Sequence, residues 1–351
     1  MNLTTLLAVP LARAEAIRGI VATLRGLNRV ALTTHVNADG DACGSVSAMA
    51  RLLVQMGITP VIVNPTPWPG LFAFLLGEDL EDRSARGGSA LSGVQAIIAL
   101  DVSDMKRLGQ LTSAVRGLRV PRIVVDHHVP TDEPAGDIML ADATACATGE
   151  LLYDFATTAG LSITTAVAAS LYCSILTDTG GFRYSNTSPR CHAIAADLLT
   201  HDVDPEAMYR RIYASISPGR LHLLRDALGS LGVDAEHGIA WLSITNEALE
   251  RYEVGAEDLD GIVEHPRSIA GTRVALFFRD LGYGKVKVSF RSTGDVDVNR
   301  LAKQFGGGGH EKASGALIPG SLEDVMARVV EATRQFVGPL EGVTGNGRQA
   351  S

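Results

Sequence analysis

Thr34-His35-Val36-Asn37-Ala38-Asp39-Gly40-Asp41-Ala42-Cys43-Gly44-Ser45 is the stretch on which the fold turns. The four residues before it, Val30-Ala31-Leu32-Thr33, read as a buried strand, and Val46 to Met56 carries apolar residues at helical spacing. A strand that feeds a helix through a polar segment is the unit of an open α/β sheet, where ligands collect outside the carboxyl ends of the strands. This places His35, Asp39 and Asp41 on a strand-to-helix loop. One imidazole and two carboxylates so close in sequence converge if the backbone turns tightly, which Gly40 and Gly44 permit. Hard divalent cations prefer oxygen ligands, and a single imidazole moves the preference toward Mn²⁺. A solvated polar loop would look the same at this stage, so the decision rests on the rest of the chain.

Outward from that stretch, strand and helix signals alternate. Thr59 to Val63, Val94 to Leu100 and Arg122 to Val125 are apolar runs that read as buried parallel strands. Asn64 to Gly70 and Arg83 to Gly93 read as loops, and Met105 to Leu118 as a crossover helix. Helices follow over Thr148 to Ala159, Thr165 to Leu176 and Arg190 to Thr200, with an N-terminal one from Pro10 onward carrying Ile17, Ile20, Val21 and Leu24. The expected first domain is an α/β, parallel, doubly wound sheet over residues 1–204. Pro205 to Leu231 is charged and periodic and reads as a helical linker, 205–235. Beyond it strands come in pairs: Ile239 to Ile244, Thr272 to Arg279, Lys285 to Arg291 and Ala316 to Ile318. Helical stretches are expected over Ala256 to Val263, Val298 to Phe305 and Leu322 to Phe336. The pattern predicts a smaller mixed-sheet α+β domain over 236–340, followed by a disordered tail, 341–351.

The 351 residues carry a formal net charge of −8, with 46% apolar and 20% charged residues. Proteins that hold long duplex through its backbone are usually basic, so extended nucleic acid is not the expected partner, whereas a short or mononucleotide ligand needs few cations. The four cysteines, Cys43, Cys146, Cys173 and Cys191, form no Cys-x-x-Cys pair and read as reduced thiols, with packing the role expected of Cys43. No Lys or Arg precedes the mildly apolar Leu3 to Leu11, and Pro10 interrupts it. No stretch reaches the length of a membrane span. A cytoplasmic protein without membrane association is expected.

Four separate elements end in residues of the metal-ligating type: His35, Asp39 and Asp41 on the first; Asp101 after Val94 to Leu100; Asp126-His127-His128 after Arg122 to Val125; and Asp178 after the long apolar helix. Alone, Asp101 or Asp178 would be a cap or turn former. Two adjacent histidines directly after a hydrophobic strand have no evident packing use. A pair of divalent ions needs about this many ligands, and a carboxylate can bridge them. Two such ions acidify a shared water, so that hydroxide attacks phosphorus in line. No Ser-His-Asp or Cys-His arrangement competes.

His-x-x-x-Asp-x-Asp, a lone strand-end Asp, Asp-His-His and a late Asp resemble the DHH phosphoesterase superfamily. Gly306-Gly307-Gly308-Gly309-His310, with Ser289-Phe290-Arg291-Ser292 upstream, resembles its DHH-associated C-terminal domain, DHHA1. Length and motif order are most similar to the nanoRNase and pAp-phosphatase branch. The resemblance implies two divalent ions, Mn²⁺ ahead of Mg²⁺ or Co²⁺. It assigns His35 and Asp39 to one ion, Asp41, His127 and Asp178 to the other, and Asp101 as the bridge. His128 would face the substrate phosphate and serve the leaving group, and Asp126 would orient a neighbouring histidine. Arg291, Ser292, Gly307, Gly308, Gly309 and His310 would bind a second phosphate, the glycine amides forming an anion nest. Ala38 and Thr34 stand where the family often has Pro and Asp; neither is a ligand, so loop rigidity is what the departure touches.

The implied activity is metal-dependent hydrolysis of very short single-stranded oligoribonucleotides, di- to pentanucleotides, to mononucleotides, and of pAp to AMP, with substrate held in a cleft between the domains. A homodimer is compatible with the family. The same chemistry serves a linear or cyclic dinucleotide phosphodiesterase of the c-di-AMP/pApA type. A pyrophosphatase lacks the glycine-His motif, and a RecJ-type exonuclease is disfavoured by length and acidic charge. A non-catalytic nucleotide-binding regulator would not need the whole ligand set.

Overall fold

The structure, a computed structural model, describes residues 2–214, 216–255, 257–259, 261–309 and 311–340. His310 and the tail, 341–351, therefore lie outside the described residues. The chain divides into two units, Met1–Ser215 and Ile216–Ser351.

The first unit runs α1 (Leu3–Leu7), α2 (Leu11–Leu24), β1 (Arg29–Thr33), α3 (Gly40–Gln55), β2 (Thr59–Ile62), β3 (Ala96–Leu100), α4 (Thr112–Gly117), β4 (Arg122–Asp126), β5 (Ile138–Ala141), α5 (Thr148–Ala159), α6 (Thr165–Asp178), α7 (Pro189–Leu199) and α8 (Pro205–Tyr213). Its five strands lie in the order β2-β1-β3-β4-β5, every pair parallel, as the doubly wound reading requires. Side chains alternate across the sheet. Ile98 and Leu100 of β3 enter the core shared with α2, α3, α5 and α6, while Ile97 and Ala99 enter a smaller core on the other face with Leu108, Leu111 and Val115. After β1 the chain goes to one side for β2 and to the other for β3. The carboxyl ends of β1 and β3 thus flank the point where ligands gather in such sheets.

Several expectations change. Asp41 is not on a loop: it lies in the first turn of α3, which Asp39 caps by accepting from the Ala42 amide at 3.1 Å. Gly40 and Gly44 do not make a tight turn either. Both are helical, and a Cβ on Gly44 would lie 2.5 Å from the Ser170 carbonyl oxygen of α6, while one on Gly40 would collide with Thr177. Their small size lets α3 and α6 pack backbone to backbone. Met105 to Leu118 is not one helix but a 3₁₀ turn, Met105–Leu111, followed by α4, with Gly109 at φ 50° breaking the run. A second 3₁₀ turn, Ser84–Leu91, occupies the segment read as loop. α1 and the edge strand β5 were not expected.

An ion cluster ties α2 and α7 to α5. Buried Arg13 donates to Asp142 at 2.7 Å, Glu150 at 2.6 Å and Asp154 at 2.9 Å, and Arg190 reaches Glu150 at 3.2 Å and also pairs with Asp154. Removing one partner from such a buried set typically costs about 3–5 kcal/mol, so α5 is firmly placed.

The second unit comprises α9 (Pro218–Gly229), β6 (Gly232–Asp234), β7 (Ile239–Ile244), α10 (Asn246–Arg251), α11 (Glu264–Arg267), β8 (Val274–Asp280), β9 (Lys285–Ser292), α12 (Val298–Lys303), β10 (Gly308–Gly309), β11 (Ala313–Pro319) and α13 (Leu322–Val337). The sheet order is β10-β11-β9-β8-β7-β6; β7 and β8 are parallel and the other pairs antiparallel, a mixed sheet as expected. Val286, Val288 and Phe290 of β9 pack on α12 and α13. Of the helix expected over Ala256 to Val263, Ala256 and Asp260 lie outside the described residues; Glu257–Leu259 is a 3₁₀ turn, with α11 beyond it. Among the described residues no helix is long and apolar enough to cross a membrane.

Candidate metal centre

Five elements of the first unit converge at one end of its sheet. β1 delivers His35, the start of α3 delivers Asp39 and Asp41, β3 delivers Asp101, β4 delivers Asp126-His127-His128, and the last turn of α6 delivers Asp178. Asp101 stands in the left-handed region, φ 58°, just after its amide completes the ladder to Val125 at 3.0 Å. Asp is one of the residues that tolerates this conformation.

The donors fall into three groups whose ligand atoms lie within 4.8 Å of one another: His35, Asp39 and Asp101; Asp41, His127 and Asp178; and Asp101, His127 and His128. Asp101 Oδ2 is 3.4 Å from His35 Nε2, and its Oδ1 is 3.7 Å from His127 Nε2. One carboxylate thus turns a separate oxygen to each side. Asp39 Oδ1 lies 4.0 Å from His35 Nε2. His127 Nε2 is also 3.5 Å from Asp41 and 3.7 Å from Asp178.

The histidines are aimed by their other nitrogen. His35 Nδ1–H donates to the Val36 carbonyl at 2.8 Å and His127 Nδ1–H to that of Ala145 at 3.3 Å, so each turns the Nε2 lone pair inward. His127 Nε2 is buried without a hydrogen bond, an orphan among carboxylate oxygens that a cation would satisfy. Charge points the same way. Asp101 is nine-tenths buried or more and its carboxyl is held well above the usual range, by burial first and then by the charges of Asp41, Asp39 and Asp126. Burial and the neighbouring Asp41 push Asp178 up to about 6. Buried carboxylates crowded to this degree call for positive charge. The residues present therefore fit divalent cations.

His128 differs. Its Nδ1–H donates to Asp126 at 2.8 Å and its amide donates to the same oxygen at 3.0 Å, leaving Nε2 free on a half-exposed side chain. The Asp126 bond raises the imidazole's proton affinity. Burial works against ionisation of Asp126, but the bonds from His128 outweigh it and keep the carboxyl below its usual value.

Residues that motif reading did not single out complete the centre. Asp41 Oδ1 accepts from Ser174 at 2.6 Å, Ser45 at 3.1 Å and the Gly149 amide at 3.3 Å; its Oδ2 accepts from the Thr148 amide at 2.8 Å. Thr148 and Gly149 open α5, so the positive end of that helix faces the carboxylate. The Thr148 hydroxyl donates to Asp101 at 3.0 Å, and Asn186 donates to Asp178 at 3.1 Å. Thr148, Gly149 and Ser174 stand more than a hundred positions from Asp41, whereas Ser45 lies one helical turn beyond it.

In the second unit, Arg291 lies on the sheet face opposite Phe290, half-buried, with its Nε 3.6 Å from Glu264. Ser292 is buried and its hydroxyl donates to the Val296 carbonyl at 2.7 Å, on the opposite face of the strand. The amides of Gly306, Gly307 and Gly309 donate to Lys303, Ala302 and Asn299. Gly308 and Gly309 form β10, where a Cβ on Gly309 would meet the Ala313 carbonyl at 2.7 Å. The run serves as close strand pairing more than as a free nest.

Comparison with known proteins agrees with this architecture. Residues 29–175 match the DHH family N-terminal domain and residues 243–338 the DHHA1 domain. The chain is 32% identical over 308 residues to the bifunctional oligoribonuclease and PAP phosphatase NrnA of Thermus thermophilus, covering 87% of this chain and 89% of that one. It is 27% identical to the protein of the same name from Bacillus subtilis, covering 85% and 92%. The crystal structure of an exopolyphosphatase-related protein from Bacteroides fragilis superposes with a TM-score of 0.82 at 26% identity, over 92% of this chain and 96% of that one. With both domain types present in the order its motifs predict, and with full-length relatives that cleave phosphate esters, the chain belongs to the DHH family and is a phosphoesterase.

Proposed function

We propose that this protein hydrolyses very short single-stranded oligoribonucleotides to mononucleotides and removes the 3′-phosphate of pAp, with two divalent metal ions as cofactors. The observation that carries the reading is Asp101, whose two oxygens address two separate donor groups. Asp101 would be shared, His35 and Asp39 would hold one ion, and Asp41, His127 and Asp178 the other. When bound, such ions neutralise phosphate charge and acidify a water.

The chain's own groups supply the rest. Thr148, Gly149, Ser45 and Ser174 fix the Asp41 carboxylate, so it need not reorganise during turnover. Asp126 orients His128 and favours its protonated form, so that Nε2–H can pass its proton to the departing ester oxygen. Arg291, on the second unit, would contact a phosphate other than the reacting one, its guanidinium fork suited to that oxygen geometry. Gly307, Gly308, Gly309, Ser292 and His310 remain assigned to the same substrate end only through the motif they share.

The test is a substrate panel with Mn²⁺: di- to pentanucleotides, pAp, c-di-AMP and pyrophosphate, each with and without EDTA. Release of mononucleotides from the short chains and phosphate from pAp, both abolished by EDTA, is expected. Turnover of pyrophosphate or c-di-AMP alone would overturn the substrate assignment, and EDTA-resistant turnover would overturn the metal one.

A further inference from the structure

Side chains alternate along β9. Val286, Val288 and Phe290 enter the core, so Lys285, Lys287, Ser289 and Arg291 share the other face. On β8, Leu276 and Phe278 face that core, and Phe277 and Arg279 take the side of Lys287, where Phe277 is buried in a second core with Leu259 and Val263. The antiparallel register sets Arg279 directly opposite Lys287, with Ser289 between Phe277 and Gly315.

Like charges directly opposed across a strand pair are destabilising. A nearby carboxylate usually offsets such a cation, and Arg291 on the same face has Glu264 at 3.6 Å. Among the described residues no carboxylate pairs with Arg279 or Lys287, and Arg279 Nε is buried without any hydrogen-bond partner. A buried donor left unpaired is costly. This occurs on a chain of net charge −8, where acidic residues are abundant. Arg279, Lys287, Ser289 and Arg291 border a cavity of about 100 Å³, room for a phosphate group, whose other wall includes Leu259, Val263 and Phe277. From Lys287 to Arg291 the strand advances roughly 13 Å at ~3.4 Å per residue. That distance exceeds the step between neighbouring phosphates of one strand, so Lys287 and Arg291 would meet phosphates that are not adjacent, and a dinucleotide cannot fill both.

We propose that Arg279 and Lys287 form a phosphate site for the backbone of a single-stranded oligonucleotide longer than two residues, so that this side of β9, at the edge of the second core, senses substrate length. The inference rests on the oligonucleotide reading above and adds a site to it.

The test uses the full chain with Arg279→Ala, Lys287→Ala and the double substitution. With Mn²⁺, kcat/KM for a pentanucleotide should fall at least roughly tenfold in the double variant while that for a dinucleotide stays within about twofold. Independently, anisotropy of a labelled pentanucleotide in EDTA should show the slope of log K against log salt shrinking by about 0.7 for each lost phosphate contact. The charge-conserving pair Arg279→Lys and Lys287→Arg should retain most of the binding, which separates charge from fold. Equal loss on dinucleotide and pentanucleotide, or an unchanged salt slope, would overturn the proposal. If the wild type binds the pentanucleotide with the expected slope change but cleaves no oligonucleotide, the catalytic reading falls and this phosphate site stands.

Discussion

The tightest claim concerns Gly44→Ala. Alanine normally stabilises a helix interior over glycine by about 1 kcal/mol, and Gly44 lies well inside α3. Here the added Cβ would sit 2.5 Å from the Ser170 carbonyl oxygen and 2.9 Å from the Ser174 amide, both backbone atoms of α6. Ordinary contact begins near 3.4 Å, so the helices must part by roughly 1 Å. Overpacking of this kind costs about 1–3 kcal/mol beyond the propensity gain. The same displacement pulls Asp41 away from Ser174, which now donates to it at 2.6 Å. Gly19→Ala is the internal control, because Gly19 lies in α2 with nothing within 4 Å of its Cβ position. Thermal melts should show Gly19→Ala raising Tm by about 1–4 °C and Gly44→Ala lowering it by roughly 2–12 °C. Gly44→Ala should also lose Mn²⁺ affinity by titration. A Gly44 variant as stable as the Gly19 variant, with wild-type metal affinity, would refute the idea that glycine sets the α3–α6 approach.

Thr148→Val removes the hydroxyl that donates to Asp101 while keeping shape; kcat/KM should fall about tenfold, and Thr148→Ser should restore it. His128→Ala should lower kcat by roughly 10²–10⁴ with metal content unchanged, and loss of a metal equivalent would make it a ligand instead. In the second unit, burial opposes ionisation of Asp234, but Arg334 and His237 hold its carboxyl down to about 2. A depressed folded value stabilises above the unfolded pKa of about 4 and is lost as pH falls through about 2. Asp234→Asn should flatten the melting profile of that unit across this window, as followed by circular dichroism.

The strand-end residues His35, Asp101 and His127 were legible because each follows a continuous apolar run that announces where a buried strand stops. The parallel sheet was legible for the same reason. β5 was missed because four residues at a sheet edge carry no period to detect. Gly40 and Gly44 stand out in the sequence, but their purpose is not legible there, since what they accommodate is a helix more than a hundred residues away. Thr148 and Ser174 were invisible for a related cause. Their partner is Asp41, and nothing in local spacing records a bond across 107 or 133 positions.

Asp41 has one further consequence, for the choice of ion. Its Oδ1 already accepts three hydrogen bonds and its Oδ2 one. Such a carboxylate can offer a cation a single lone pair on one oxygen and cannot chelate through both. Calcium favours a crowded, flexible shell in which carboxylates often bind through two oxygens, at distances of about 2.3–2.6 Å. A smaller ion content with one oxygen per carboxylate suits Asp41 better. The hydrogen bonds that steady this side chain leave one oxygen for a cation, an arrangement that would favour a small ion over calcium.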